Sequence, residues 1–183
     1  MKIFGYLDQM LPYIAEANWS GLEIKYHAVA AKLAGKEQAE RIAKVDFSRY
    51  QTNLQKALAK AIRGANQSVN TKALYFEYDL DNNWQSEFFL CTSYDSESIG
   101  NDWACDWEAA IEGPDFPLLT KIYNTAEGTF DASNLARGVT LYLIARTVAT
   151  FGRCADQHPD FKLPICIGFH DQDPIMRIRD VVR

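Results

Sequence analysis

Between Ser133 and Ala155 the chain carries apolar residues on most of a helical circumference: Leu135, Val139, Leu141, Tyr142, Leu143, Ile144, Ala145, Val148 and Phe151. A helix of that kind is stable only when it is covered on more than one side, so it is expected at the centre, with a sheet on one flank and helices on another. Ser133 is a good N-cap and Gly152 lies near the expected end. The longest apolar stretch within it, Val139 to Ala145, sits between Arg137 and Arg146. That is far short of the ~20 residues of a membrane-spanning helix. A chain of 183 residues, 48% hydrophobic and 23% charged, has material for one sizeable core but not for two.

The pattern before this helix changes period once. Leu22, Tyr26, Val29 and Leu33 recur at helical spacing, with Gly35 as a stop. From Glu37, the residues Ile42, Val45, Tyr50, Leu54, Leu58 and Ile62 again share a side, although Asp46 before Phe47-Ser48-Arg49 is placed to cap a fresh helix. One long helix and two shorter ones both fit. Residues 3–17 also read as helical, with Pro12 in a first turn or at a kink. At Ala73 the period becomes two: Leu74, Phe76, Tyr78 and Leu80 face one way, Tyr75, Glu77 and Asp79 the other. Asp81-Asn82-Asn83 supplies turn chemistry, and alternation resumes from Glu87 to Tyr94, which predicts a β-hairpin. Trp103, Cys105 and Trp107 alternate with Ala104 and Asp106 and predict a short third strand. Phe116 to Tyr123 reads as a short helix and Leu163 to Phe169 as an interior strand. Ile175 to Val182 fits a strand or a short helix. The expectation is a single α+β domain over residues 1–183, helical over 1–66 and sheet-containing over 72–183. Its sheet is expected to be mainly antiparallel and packed with several helices, one of them largely buried near 133–155.

Charge is distributed unevenly. Residues 1–72 hold 11 Lys+Arg and 6 Asp+Glu, residues 73–131 hold 1 and 13, and residues 132–183 hold 7 and 5. The acidity is therefore concentrated in the segment that contains the hairpin. Phosphates would be repelled by it, so nucleic acid is not an expected partner. The basic residues of the first segment are spaced as the outer faces of amphipathic helices. At the N-terminus Asp8 and Gln9 interrupt the apolar run from Ile3, so no secretory signal and no membrane association are expected. Cys91, Cys105, Cys154 and Cys166 are too scattered for a disulfide framework and read as reduced thiols of a cytoplasmic protein.

Catalytic and metal patterns are thin. Cys154-x3-His158 and Cys166-x3-His170 offer zinc ligand types, and the first pair would share a helix face. The second, if extended, spans roughly 13 Å, too far for one ion. Asp79-Leu-Asp81-Asn-Asn83-Trp lacks the glycine and terminal glutamate of a calcium loop. No nucleophile elbow, zinc-protease helix or phosphate-binding glycine loop occurs. With three histidines in the chain, general bases are few. No catalytic residue, cofactor or metal is assigned; the catalytic alternative is a small hydrolase or metal-dependent enzyme using Cys105 or Cys166 with His170.

What the acidic segment does offer is a single-sign field combined with aromatic side chains, the two features that steer and anchor a basic protein. The residues expected at such a surface are Asp79, Asp81, Trp84, Asp95, Glu97, Asp102, Trp103, Asp106, Trp107 and Glu108. Aromatic residues at alternating strand positions are also what a core contains, and acids also what solvated loops contain.

The runs Ala73-Leu-Tyr-Phe-Glu-Tyr-Asp-Leu-Asp-Asn-Asn-Trp84, Asn101-Asp-Trp-Ala-Cys-Asp-Trp107 and Ile167-Gly-Phe-His-Asp-Gln-Asp-Pro174 resemble small bacterial immunity-type proteins that accompany polymorphic and contact-dependent toxins. The likeness extends from about residue 73 onward and is one of general character, since such proteins are acidic, aromatic-rich and α+β and carry no catalytic signature. It implies a non-enzymatic cytoplasmic protein that neutralises a basic toxin domain by covering its active site. A subunit of a larger assembly is a further possibility, and the oligomeric state is left open.

Overall fold

The computed structural model describes residues 2–95, 102–126, 129–170 and 174–180. It is an α+β fold built on one five-stranded sheet. Helices α1 (Ile3–Leu7) and α2 (Leu11–Ala15) are joined by a 3-10 turn, and Pro12 lies in the first turn of α2, where its missing N–H costs nothing. Helix α3 (Trp19–Leu33) is capped by the Asn18 side chain, which accepts from the Gly21 N–H. Next come α4 (Lys36–Ala43) and α5 (Ser48–Gln67), two helices and not one. The break between them is made by Asp46, whose carboxylate accepts the Ser48 N–H at 2.9 Å. Arg146 then holds the junction by donating to the carbonyls of Ile42 and Val45, with its guanidinium 4.2 Å from the Phe47 ring centroid.

Strands β1 (Ala73–Tyr78), β2 (Ser86–Cys91) and β3 (Trp107–Glu112) form an antiparallel meander. After α6 (Pro117–Asn124) and α7 (Asn134–Asp156), strand β4 (Ile165–Phe169) enters beside β1 in parallel, and β5 (Met176–Arg179) closes the far side antiparallel to β4. The order is β3-β2-β1-β4-β5. The third strand differs from its expected place. Residues Asp102–Cys105 form a 3-10 turn and the strand starts at Trp107, because Trp103 turns inward as a buried residue instead of alternating along an edge. The tail after Ile175 resolves as a strand over the described residues.

One face of the sheet packs under the helices. Leu74, Phe76 and Tyr78 of β1, Phe88 and Leu90 of β2, and Ile165, Ile167 and Phe169 of β4 join the main core. Phe76 stacks on Phe151 of α7 with centroids 4.7 Å apart and lies 4.8 Å from Phe88. Helix α7 is capped by Ser133 and lies between the sheet and α3, which explains its all-round apolar surface. Two glycines let α3 approach it closely. A Cβ on Gly152 would meet the Trp19 ring at 2.5 Å, and one on Gly138 would meet Leu33 and Ala34 at 2.9 Å. The Trp19 indole N–H also donates to Asp156 at 2.6 Å.

Among the described residues, the other face carries no α-helix. Half of it is closed by the segment after β2: Trp103 packs with Ala73, Tyr75, Cys91, Cys166 and Ile175 in a second, smaller cluster. The remaining half is the floor of the site below. Among the described residues, no helix is long and apolar enough to cross a membrane.

Candidate functional site

The hairpin register decides what the open half of the sheet displays. β1 and β2 pair so that Glu77 lies opposite Glu87, and β2 and β3 pair so that Glu87 lies opposite Glu112. Three glutamates therefore stand side by side across three strands, about 5 Å apart at the backbone. Gly168 of β4 continues the row next to Glu77. Like charges placed directly opposite destabilise a sheet, so the fold tolerates this row without gaining from it.

Around the row opens a cleft of about 730 Å³, walled by the turn after β1 and the loop after β3. Its lining includes the carboxylates of Glu77, Asp79, Glu87, Glu112 and Asp115, together with His170, and no lysine or arginine among the described residues. Glu77 is the one carboxylate of the row held in place. One of its oxygens accepts from the Tyr75 hydroxyl at 3.1 Å and the other lies 2.9 Å from His170 Nδ1. Burial, followed by the neighbouring Glu77, pushes the Tyr75 phenol far above its ordinary range, so it remains a donor. Tyr75 reaches this position across Gly168, where a Cβ would come within 2.6 Å of the phenol oxygen. His170 is positioned by the main chain, its N–H donating to the Tyr78 carbonyl at 3.0 Å.

The turn that forms one wall is anchored from below. Trp84, fully buried, inserts between Tyr78 and Tyr123 and donates its indole N–H to Thr147 at 3.1 Å. Asn83 and Trp84 both adopt positive φ, at 54°, a conformation unusual for a bulky residue and maintained here by that burial. Asp79 Oδ1 accepts the N–H groups of Asp81 and Asn82, at 2.9 and 3.2 Å, and so closes the turn.

The ten residues expected at a partner surface are thus dispersed. Trp84 and Trp103, at 0% and 2% exposure, are core residues and not surface anchors. Asp79 closes the turn while lining the cleft, and Asp81 is exposed at the turn's tip. Glu108 is engaged by the α5–β1 connection: Ser68 and Thr71 hydroxyls donate to it, which holds its carboxyl below the usual range. Asp95, Asp102 and Asp106 are exposed along the segment that closes the other half of the face, and Asp106 accepts from the Ser93 hydroxyl at 3.1 Å. Trp107, 49% exposed, lies on the open face with its ring 5.3 Å from Phe89. Glu97 is outside the described residues.

Glu77, Glu87, Glu112 and Asp115 were not among the expected residues. The signal for the first two is in the sequence: a hairpin centred on Asn82 puts residues equidistant from it opposite each other, and Glu77 and Glu87 are five residues to either side. Glu112 needed the true position of β3.

The cysteine–histidine arrangements do not form a catalytic pair. Cys166 lies four extended residues before His170, about 13 Å along the strand. It is buried in the second cluster, where burial pushes its thiol far above the reactive range. Cys105 is exposed but precedes β3, whereas His170 meets the row at the opposite end, beside Glu77. Cys154 donates to the Gln51 carbonyl and His158 hydrogen-bonds Gln55 at 2.8 Å. Among the described residues, no group of three or more His, Cys, Asp or Glu is placed to hold a metal ion.

No family model matches the chain, and neither a curated protein nor a solved structure is detectably similar to it.

Proposed function

We propose that this chain is a protein-binding protein that holds a basic partner on the open face of its sheet, in the manner of a cytoplasmic immunity protein neutralising a basic toxin domain. The observation that supports this reading is the row Glu77–Glu87–Glu112 on a face that, among the described residues, no α-helix covers and in whose cleft no lysine or arginine stands. The repulsion in that row is relieved when cationic side chains enter, so partner binding and local stability are coupled. Spread over three strands, the carboxylates suit lysine or arginine side chains of a protein better than a single small ion. Exposed Asp102 and Asp106 belong to the segment whose Trp103 closes the other half of that face, and they enlarge the field that steers the encounter.

The test begins with capture of partners from the native host at low salt and purification of the basic protein recovered. Its affinity is then measured at two salt concentrations for the native chain, for the pair Glu87→Lys with Glu112→Lys, and for the pair Asp102→Lys with Asp106→Lys. The first reversal is expected to weaken binding by about 100-fold or more, and the second to act mainly on association rate and salt dependence. Unchanged affinity and salt slope in both variants would overturn the reading.

A further inference from the structure

The two edges of the sheet are finished differently. β5 is covered by α2, and its Arg179 donates to the carbonyls of Ala155, His158 and Phe161, so that edge is tied to the end of α7. β3 has β2 on one side, and on the other no hydrogen bond reaches the main chain of Ala110 or Glu112 among the described residues.

Ladder parity shows which groups point outward. Gly113 N–H donates to the Ser86 carbonyl, so in an alternating antiparallel ladder Ile111 and Ala109 are the next residues bonded to β2. The N–H and C=O groups of Ala110 and Glu112 therefore face away from the sheet, unpaired. Edges like this are usually blunted by proline, lysine or a covering element. Here the exposed edge residues are Ala110, which presents no bulk, and Glu112, which carries the end of the carboxylate row.

We infer that the basic partner docks as an extended segment added to the edge of β3, as a sixth strand. The inference rests on the acidic-face reading and specifies its geometry. The residue of the added strand that falls opposite Glu112 continues the row Glu77–Glu87–Glu112, so a lysine or arginine there meets Glu112 directly and has Glu87 within reach. Two residues along, the added side chain lies beside Ala110, where there is room for a bulky group. At the far end it meets Trp107 on the same face, since the register slip between Leu90 and Cys91 brings Trp107 opposite Cys91. Main-chain bonds would supply adhesion and these alternate side chains the selection. The segment selected is cationic at one end and apolar at the other.

The test uses the whole chain and an acetylated nine-residue peptide in which threonine alternates with lysine over one half and with valine over the other, with amide exchange followed residue by residue. Once the site is nine-tenths occupied, the Ala110 and Glu112 amides are expected to exchange about tenfold slower, because only the free fraction exchanges, while β2 amides are unchanged. Ala110→Pro, which removes an outward N–H without breaking a β2–β3 bond, is expected to abolish that protection at Glu112. Glu112→Gln is expected to weaken the peptide several-fold while leaving its protection pattern intact. Salt-sensitive peptide binding without protection at Ala110 and Glu112 would sink the added strand and leave the acidic-face reading standing. No binding at millimolar peptide, or equal binding of a glutamate–threonine peptide, would overturn both.

Discussion

The two faces of this sheet are built from the same strands and finished by different means. On the helix face, Leu74, Phe76 and Tyr78 meet α5 and α7, long elements whose own hydrogen bonds are complete before they pack. On the open face, Tyr75, Cys91 and Cys166 are covered by a loop and a 3-10 turn carrying Trp103. A loop covers less area than a helix and arrives with its own polar groups to satisfy. Accordingly the Trp103 indole N–H is buried without a hydrogen-bond partner among the described residues, whereas that of Trp84 reaches Thr147. Coverage stops where the carboxylate row begins. The contrast shows that the second face is half core and half display, and that the boundary falls between Tyr75 and Glu77 on one strand.

The largest expected effect comes from the helix face. Phe76→Ala removes a fully buried ring that stacks on Phe151 and packs against Phe88, and is expected to cost about 3–5 kcal/mol, read from the urea midpoint. Trp103→Ala deletes a larger side chain but is expected to cost less, about 1–3 kcal/mol, because the unpaired N–H already offsets part of its apolar gain. If Trp103→Ala proved the costlier, the open face would be the primary core and the comparison would reverse.

A chemical probe sharpens the same contrast at smaller effect. Cys91, Cys154 and Cys166 are buried, with burial pushing the Cys91 and Cys154 thiols up to about 12, while Cys105 is exposed. Since the thiolate is the nucleophile, native protein at pH 8 is expected to react rapidly with one equivalent of an alkylating reagent and denatured protein with four. Removing the cover with Trp103→Ala is expected to admit reagent to Cys91 and Cys166 but not to Cys154, which lies on α7 in the main core with its thiol on the Gln51 carbonyl of α5. Equal acceleration at all three cysteines would mean that the loop and the helices protect the chain as one unit.

Much of this division was legible in the sequence. Period-two alternation from Leu74 to Leu80 separated the faces correctly, and the all-round apolar pattern of α7 placed it at the centre. Asp46 offered a break between α4 and α5 as one of two readings, and the structure has the break, with Asp46 accepting the Ser48 N–H one residue ahead of the α5 N-cap Phe47. The reading failed where a residue's role depended on distant partners. Trp103, Cys105 and Trp107 alternate like a strand, yet Trp103 is drawn into the cluster around Tyr75, and the strand that follows, Trp107–Glu112, is weakly patterned because it lies at the sheet edge with none of its residues fully buried. Trp84 looked like a surface aromatic in an acidic turn. Only the tertiary structure supplies Thr147 and Tyr123 as its partners. The acidic character of the segment was plain from composition, but the row across three strands depends on register, which composition does not contain.

The smallest effect is the most discriminating for that row. Glu87 stands between Glu77 and Glu112, so Glu87→Gln relieves two like-charge neighbours and is expected to raise stability by about 0.3–1 kcal/mol at low salt. Glu112→Gln relieves one and should gain less. Glu77→Gln should lose stability instead, because both Glu77 oxygens are engaged by Tyr75 and His170. Added salt screens the repulsion, so the gain at Glu87 should shrink between 0.05 and 0.5 M, as the Debye length falls from about 14 to 4 Å. A side chain retained merely for solubility would show no such ordering. The sequence Glu87 above Glu112 above Glu77 arises only if the three carboxylates share one row with its last member fixed. Denaturant midpoints for the three single variants at two salt concentrations decide it; a destabilising Glu87→Gln would show that the row is held together by something other than the repulsion inferred here.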